Sequence, residues 1–342
     1  MRNLILVTIA ALGFACGTAT KNEVKTKEVN IYTHRHYDTD KKIFAEFEKK
    51  TGIKVNVVSA KADALIERLK IEGEKSVADI LVTSDAGRLV RAKSMNLLQA
   101  NDDTATLKVV PNYLQDPEGF WTGITKRARV LVYSNERVKA EDLSTYEALT
   151  DEKWKGKVLV RSSSNIYNQS LMASIIANNG EEAAKKWAEG IVENMARGPK
   201  GNDRDQVKAI ASSQGDLALV NTYYIGKLLN SKKEEEVAAG KSVSVFFPNQ
   251  ETTGTHINIS GLGLCKYAPN KSEAQELIAY LLSPEVQKQF AEANYEYPVR
   301  TDVEPSALLS SWGIFKEDTL NLSILGENNQ KAVMTFDKAG WK

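Results

Sequence analysis

The stretch Leu217-Ala218-Leu219-Val220-Asn221-Thr222-Tyr223-Tyr224-Ile225-Gly226 passes from an apolar run into two adjacent tyrosines. Residues 217–220 predict a buried strand, and residues 224–229 predict a helix. Neighbouring side chains point to opposite faces of a strand and lie roughly 100° apart on a helix, so a bend between the two elements can aim both hydroxyls at one spot. Open α/β sheets bind ligands just beyond the carboxyl ends of their strands. We therefore expect Tyr223 and Tyr224 to offer two oxygens to a metal ion, the alternative being two ordinary half-buried aromatic residues.

The composition describes an ordinary globular chain without a polyanionic partner. Its 342 residues suffice for two domains with separate cores, and 42% of them are hydrophobic. The net charge is +1, with basic and acidic residues interspersed. This pattern indicates neither a nucleic acid nor an anionic membrane surface as a partner. We expect a monomer.

The first residues predict export. Residues 1–15 combine a positive start with an apolar run too short to span a bilayer comfortably, which is typical of a secretory signal. Cys16 follows where bacterial lipoproteins carry their lipidated cysteine, although Gly13 stands where leucine is usual. Lipidation of Cys16 and simple cleavage to a free periplasmic protein both remain open. Residues 16–27 are predicted to form a flexible tether, and Cys265 a small buried strand residue, so no disulfide is implied.

The first third of the mature chain alternates strands with helices. Strands are predicted at 28–33, 53–58 and 79–82, and helices at 39–50, 63–73 and 85–95, with Asp38 or Thr39 capping the first helix and Gly52 ending it. Short connections between such elements predict a parallel sheet with helices on both faces.

The pattern then changes, and the chain is predicted to leave this lobe and return. Residues 121–124 and 129–133 predict two neighbouring short strands, of which the second enters another lobe; residues 256–264 predict a central strand back in the first. Further predictions are strands at 157–161, 216–220 and 242–246, helices at 166–178, 181–197, 205–213 and 271–283, a solvated surface stretch at 231–240, and a mostly helical end at 308–341. The expected lobes are 28–126 with 257–305, and 127–256 with 306–342. At least two crossings leave a hinged cleft suited to closing on a small ligand.

Loops after three predicted strands carry the candidate ligands. His36 and Tyr37 follow the first strand, Tyr167 follows the 157–161 strand, and Tyr223 and Tyr224 follow the strand quoted above. Phenolate is a hard oxygen donor, and a phenol with a pKa of about 10 binds as an anion only to a strong Lewis acid. Fe(III) meets this condition at neutral pH far better than Ca(II), Mg(II) or Zn(II). A Ca(II) site would need a run of carboxylates, which these loops lack.

Two further groups of residues belong to this hypothesis. Four phenolates on Fe(III) leave one net negative charge, which a nearby cation would stabilise. Arg127, Arg129 and Arg204 are candidates, with a plain surface or crossover role as the alternative for each. His34 lies two residues before His36, and in an extended turn it would face the same side, so it competes with His36 as a ligand.

The chain resembles the periplasmic ferric-iron-binding receptors of bacterial ABC importers, which have a two-lobed, transferrin-like cleft. The resemblance extends from about residue 28 to about residue 300. The segments that carry it are Tyr32-Thr33-His34-Arg35-His36-Tyr37-Asp38-Thr39-Asp40, 78–88, Ser163-Ser164-Asn165-Ile166-Tyr167-Asn168, Asn221-Thr222-Tyr223-Tyr224, 259–270 and 294–299. Each segment alone is weak evidence for the resemblance, but the order of the segments and the paired tyrosines are specific to this family.

The resemblance implies a fold, a ligand set and a function. It implies an α/β periplasmic-binding-protein fold and, in the most similar subgroup, Fe(III) ligation by one histidine and four tyrosines. Carried over by motif, these are His36, Tyr37, Tyr167, Tyr223 and Tyr224, and this motif favours His36 over His34. Five protein ligands leave little room for a required anion. The implied function is extracytoplasmic capture of Fe(III) and its delivery to a membrane permease, without catalysis.

Two other functions stay open at this point. The same fold could hold an organic solute such as a polyamine, thiamine or a phosphonate, although four converging phenols fit these poorly. A non-haem Fe(III) enzyme is the other alternative, but such enzymes keep metal positions open for substrate and oxygen.

Overall fold

The computed structural model describes residues 27–342. The predicted signal sequence 1–15 and Cys16 lie outside the described residues, as does the predicted tether except for its last residue. Within the described part, the strands are β1 Glu28–Thr33, β2 Lys54–Ser59, β3 Ile80–Thr83, β4 Leu98–Gln99, β5 Thr122–Ser134, β6 Val158–Leu159, β7 Leu217–Asn221, β8 Val243–Phe246 and β9 Ile257–Cys265.

Helices cover these strands. They are α1 Asp38–Thr51, α2 Ala62–Glu72, α3 Ala86–Ser94, α4 Thr104–Leu107, α5 Ile166–Asn179, α6 Glu181–Asn194, α7 Asp203–Ala211, α8 Thr222–Leu229, α9 Glu234–Lys241, α10 Lys271–Leu281, α11 Pro284–Asn294, α12 Ala307–Ser311, α13 Ser323–Glu327 and α14 Asn329–Ala339. Among residues 27–342, no helix combines the length and the apolar character needed to cross a bilayer.

One long strand joins two halves of a mixed sheet. The strand order is β2-β1-β3-β9-β5-β7-β6, with β4 beside β9 and β8 beside β5. β1 pairs in parallel with β2 and β3, as predicted, whereas β9 runs antiparallel to β3 and β5. The first part of β5, up to Ala128, pairs with β9, and its second part, from Arg129 to Ser134, pairs with β7 and β8. β5 is thus the structural link across the middle of the molecule.

The prediction of two separate short strands at 121–124 and 129–133 was wrong. β5 is continuous over both, with only a register irregularity between Gly123 and Thr125. The charged residues Lys126 and Arg127 lie between the two predicted strands. In the fold, Arg127 is buried and donates to the Ser84 carbonyl, and Arg129 pairs with a buried carboxylate, so charged residues continue the strand.

Local predictions failed at two other places. The first helix begins after Tyr37, without a capping bond from Asp38 or Thr39, although Gly52 ends it in the left-handed region as predicted. The stretch 231–240 is not merely a solvated surface, because it contains most of α9. Ala239 and Gly240 of this helix are buried, and Lys208 Nζ bonds Glu236 Oε1 at 2.9 Å. The high density of Lys and Glu concealed the buried face of a short amphipathic helix.

The last segment is helical only in part, since residues 312–322 between α12 and α13 carry no helix. α13 packs against both α3 and α5, and α14 packs against α5 and α6. The C-terminal helices therefore contact elements that flank both halves of the sheet.

Candidate metal centre

The loop after β1 is held by a buried ion-pair network. Arg35 is 4% exposed, and its guanidinium binds both Asp40 carboxylate oxygens, at 2.9 and 3.0 Å, while Nη1 contacts Glu296 Oε2 at 3.1 Å. Such a pair is stable in the interior only when its remaining donors are satisfied, and the same Nη1 also reaches Thr125 Oγ1 at 3.3 Å. The anchored Arg35 fixes the residues on either side of it, which are His34 and the His36-Tyr37 pair.

Two helix N-termini supply the opposite wall. Tyr167 lies in the first turn of α5, where its backbone N–H donates to Asn165 Oδ1 at 3.1 Å. Tyr223 and Tyr224 lie in the first turn of α8 rather than at a bend before the helix. Their ring centroids are 4.3 Å apart, and the Tyr223 hydroxyl donates to the Tyr167 hydroxyl at 3.2 Å. Strand β7 ends at Asn221, so these phenols lie just beyond a carboxyl strand end.

All five predicted ligands line one cavity of about 500 Å³. The cavity is bounded by the loop after β1 on one side and by the starts of α5 and α8 on the other. Its lining residues are His34, Arg35, His36, Tyr37, Ser84, Arg88, Arg161, Asn165, Ile166, Tyr167, Arg204, Tyr223, Tyr224 and Lys227. The structure therefore brings together predicted ligands as far apart in the sequence as His36 and Tyr224.

The predicted accessory residues occupy different positions. Arg204 lines the cavity from an exposed position. Arg127 is buried beside the cavity, with its guanidinium carbon 5.4 Å from the Tyr167 ring centroid. Arg129 is instead neutralised by Asp203 at 2.7 Å, which gives it a structural role. His34 lines the cavity with His36, but its Nδ1 is already engaged with Ser84 Oγ at 2.8 Å.

Sequence reasoning missed four cations that line the cavity, which are the ion-paired Arg35 and also Arg88, Arg161 and Lys227. Lys227 Nζ lies 3.9 Å from the Tyr37 ring centroid, and the Arg161 guanidinium carbon lies 5.6 Å from that of Tyr167. Lys227 could have been found, because it follows the paired tyrosines by one helical turn and must share their face. Arg88 and Arg161 carry no comparable local signal.

Burial favours the protonated form of three of the candidate phenols. Burial raises the pKa of Tyr37, Tyr223 and Tyr224 well above the ordinary value, and the neighbouring phenols raise that of Tyr223 and Tyr224 further. For Tyr37 the next cause is the Glu296 carboxylate. His34 changes in the opposite sense: burial, with Arg88 nearby, lowers its pKa to about 4, so its imidazole is neutral at physiological pH.

The donor set defines the chemistry that the cavity can perform. Four phenol oxygens and one imidazole nitrogen suit a hard, highly charged cation that can displace phenolic protons. Among the described residues that line the cavity there is no Asp or Glu, and within 27–342 no group of three or more His, Cys, Asp or Glu is placed to hold a metal. The arrangement positions donors around a ligand.

A cleft of this kind between two α/β lobes, joined by a long shared strand, defines a solute-binding protein. The chain belongs to the bacterial extracellular solute-binding protein family, whose sequence model matches residues 42–317. It is similar to Iron uptake protein A1 of Synechocystis sp., with 48% identity over 316 residues that cover 92% of this chain and 88% of that protein.

Solved structures give the same result. The Trichodesmium protein IdiA (FutA), solved in complex with iron and citrate ligands, is 48% identical and has a TM-score of 0.90, covering 92% of this chain and 100% of that one. The ferric binding protein from Campylobacter jejuni is 43% identical with a TM-score of 0.87, over 92% of this chain and 100% of that one.

These comparisons confirm the resemblance, the two-lobed fold and the expectation of a binding protein rather than an enzyme. Membership of an extracellular family also agrees with the expected export. The role of each candidate ligand stays a prediction.

Proposed function

We propose that this protein captures Fe(III) in its cleft and delivers it to the permease of an ABC importer. His36, Tyr37, Tyr167, Tyr223 and Tyr224 are the proposed ligands. The observation that carries the proposal is their convergence on one cavity from two sides of the molecule. The iron-related names of the relatives support the same ion, which would be cargo rather than a resident cofactor.

The charges around the cavity favour a centre that is negative once the phenols ionise. Fe(III) with four phenolates carries one net negative charge, and the surrounding side chains are cationic. Arg204 and Lys227 line the cavity, and the buried Arg127 lies against the Tyr167 ring. In our proposal Arg127 and Arg204 balance the charge, and His34 orders the loop through Ser84 rather than binding the metal.

The proposed lobes are 28–126 with 257–305, and 127–256 with 306–342. Support comes from β5, whose pairing partners change between Ala128 and Arg129. His36 and Tyr37 then come from the first lobe, and the other three ligands from the second. Iron bound by both lobes would hold the cleft closed, and the permease would receive it on opening.

We further propose that residues 1–15 direct export and that the mature protein acts as a periplasmic monomer, anchored through a lipid on Cys16. The Met1-to-Ala15 pattern and the position of Cys16 support this proposal. Mass spectrometry of the protein from a membrane fraction tests it: an unmodified N-terminus would contradict the anchor.

One organic alternative has an observation in its favour. A cavity of about 500 Å³ lined by Arg88, Arg161, Arg204 and Lys227 could hold a small anion such as a phosphonate. The same cations disfavour polyamines and thiamine, which are themselves positive. Phenol hydroxyls can donate hydrogen bonds to a phosphonate, but the cations alone could neutralise it, and four converging phenols fit a hard trivalent cation better. Fe(III) is therefore the better proposal.

The test is optical. Purified protein is loaded with Fe(III), and a broad visible band from phenolate-to-iron charge transfer is expected, which citrate at low pH should remove. A protein that stays colourless after loading, but binds a phosphonate in calorimetry, would replace our proposal with the alternative.

A further inference from the structure

The turn of α8 that follows the paired tyrosines touches the opposite side of the cleft. Gly226 lies on this turn, and a Cβ built on it would be 2.6 Å from Tyr295 Cβ and 2.8 Å from Tyr295 Cδ2, with Cγ closer still. Real Cβ atoms do not approach neighbours so closely. The α8 backbone therefore approaches Tyr295 as closely as only glycine permits.

Tyr295 is held rigidly at this point. It ends α11 in the left-handed region, at φ 57°, which is unusual for a residue with a side chain. The next residue, Glu296, pairs with buried Arg35, and Tyr297 exchanges two backbone hydrogen bonds with Lys126 of β5, at 2.9 and 2.7 Å. The backbone at Tyr295 is thereby tied to the ligand loop and to the long strand, so Cβ and Cγ, which lie nearest to Gly226, cannot move aside easily.

A second contact crosses the cleft one residue further along α8. Lys227 Nζ lies 3.9 Å from the Tyr37 ring centroid and 5.1 Å from that of Tyr223. A cation this close to an aromatic face is attracted to it, and more strongly when water is excluded. Lys227 thus lies between Tyr37 on one wall of the cavity and Tyr223 on the other.

Glycine is otherwise a poor choice inside a helix, because it orders at a high entropic cost. Gly226 lies in the middle of α8, so helix stability alone would favour alanine. The close approach of Tyr295 supplies the physical reason for glycine at this position.

We propose that Gly226, together with Tyr295 and Lys227, positions the paired tyrosines against the first lobe when the cleft is closed. We call the two contacts, of Gly226 with Tyr295 and of Lys227 with the Tyr37 ring, the α8 seam. The seam rests on the proposed function, since its purpose is to set Tyr223 and Tyr224 at the correct distance from His36 and Tyr37. It acts through the ligands and touches no metal itself.

The test uses the full-length mature protein with Fe(III) and three variants: Gly226→Ala, Tyr295→Gly and the double variant. Gly198→Ala is the matched control, because a Cβ there meets nothing within 4 Å and its φ is ordinary. We expect Gly226→Ala to weaken iron binding about tenfold or more, mainly through faster release into a citrate competitor. Gly198→Ala should release iron as the wild type does.

The double variant distinguishes a specific clash between the methyl group of Gly226→Ala and Tyr295 from a general loss of structure. Tyr295→Gly removes the ring and suits a positive φ, so the double variant should recover the release rate of Tyr295→Gly alone. If the double variant released iron as fast as Gly226→Ala, or if Gly226→Ala matched the wild type, the seam would be refuted.

Small-angle scattering tests the seam independently of the proposed function, because it measures the shape of the protein and not its affinity for iron. The radius of gyration from small-angle scattering, with and without Fe(III), should be larger for Gly226→Ala than for the wild type. Equal radii in both conditions would refute the seam even if the wild type bound no iron. Failure of wild-type iron binding itself would refute the proposed function instead.

Discussion

The two walls of the cavity hold their candidate ligands in different ways. On the first wall, His36 and Tyr37 lie on a loop, where His36 is exposed and Tyr37 is half-buried. On the second wall, Tyr167, Tyr223 and Tyr224 lie on the first turns of two helices, and two of their hydroxyls are already hydrogen-bonded to each other. The helical wall is therefore preorganised, whereas the loop wall depends on the network around Arg35.

This difference implies an order of events. A site on helices keeps its geometry better than a site on a loop. We expect Fe(III) to meet the three phenols of the helical wall first, and the loop wall to complete the coordination as the cleft closes. Variants of the helical wall should then affect capture, and variants of the loop wall should mainly affect release.

The largest expected effect is the change of iron affinity with pH. The pKa values of Tyr37, Tyr223 and Tyr224 are raised by burial, so each phenol is protonated without metal and must lose its proton to bind. Each such phenol should raise the iron affinity by about a factor of ten per pH unit. Affinity therefore increases with pH and falls on acidification. Competition titrations with a chelator of known pH dependence measure the slope, and an affinity independent of pH would contradict phenolate ligation.

Removing a hydroxyl from the helical wall should have the next largest effect. Tyr223→Phe keeps the ring, so folding should survive, while Fe(III) affinity should fall by about a hundredfold or more, beyond the range typical for outer-shell changes. The charge-transfer band should weaken and shift. Tyr267→Phe, at a 41% exposed ring, is the control. Wild-type affinity in Tyr223→Phe would show that the helical wall is not the capture surface.

Changes in the loop wall should be smaller and should separate its two histidines. His36→Ala should weaken iron binding about tenfold, seen chiefly as faster release. His34→Ala should have less effect, because its Nδ1 binds Ser84 and its role is to order the loop. The reverse ranking, measured by stopped-flow release into citrate, would make His34 the ligand.

The smallest expected effect belongs to the exposed cation. Arg204→Gln should lower the affinity only about two- to fivefold, since an exposed charge is screened by solvent and by salt. The difference between the variant and the wild type should shrink as ionic strength rises. A large, salt-independent loss would place Arg204 in direct contact with the bound species.

The sequence was informative where the site depends on local order. A strand followed directly by a helix places Tyr223 and Tyr224 beyond a strand end, and the tyrosine and histidine types indicate a hard cation without any knowledge of the fold. The His36-Tyr37 pair was located in the same way, after a first strand whose bounds, Glu28–Thr33, were predicted correctly.

Features that depend on distant partners were not accessible from the sequence. The continuity of β5 depends on Arg129 finding Asp203, a residue 74 positions away. The buried network of Arg35 depends on Glu296, 261 positions away, and in the sequence Arg35 is only the residue between two histidines. Arg88 lies on α3 and Arg161 on the loop after β6, and both line the cavity because of how these segments pack, which no local pattern encodes.

The central claim is that five side chains from two walls converge on one Fe(III) ion. The most direct measurement is a crystal structure of the iron-loaded protein with anomalous data collected on both sides of the iron absorption edge. We predict a single strong anomalous peak in bonding contact with His36 and the hydroxyl oxygens of Tyr37, Tyr167, Tyr223 and Tyr224. A peak located elsewhere, or a cleft without iron in coloured crystals, would contradict the account.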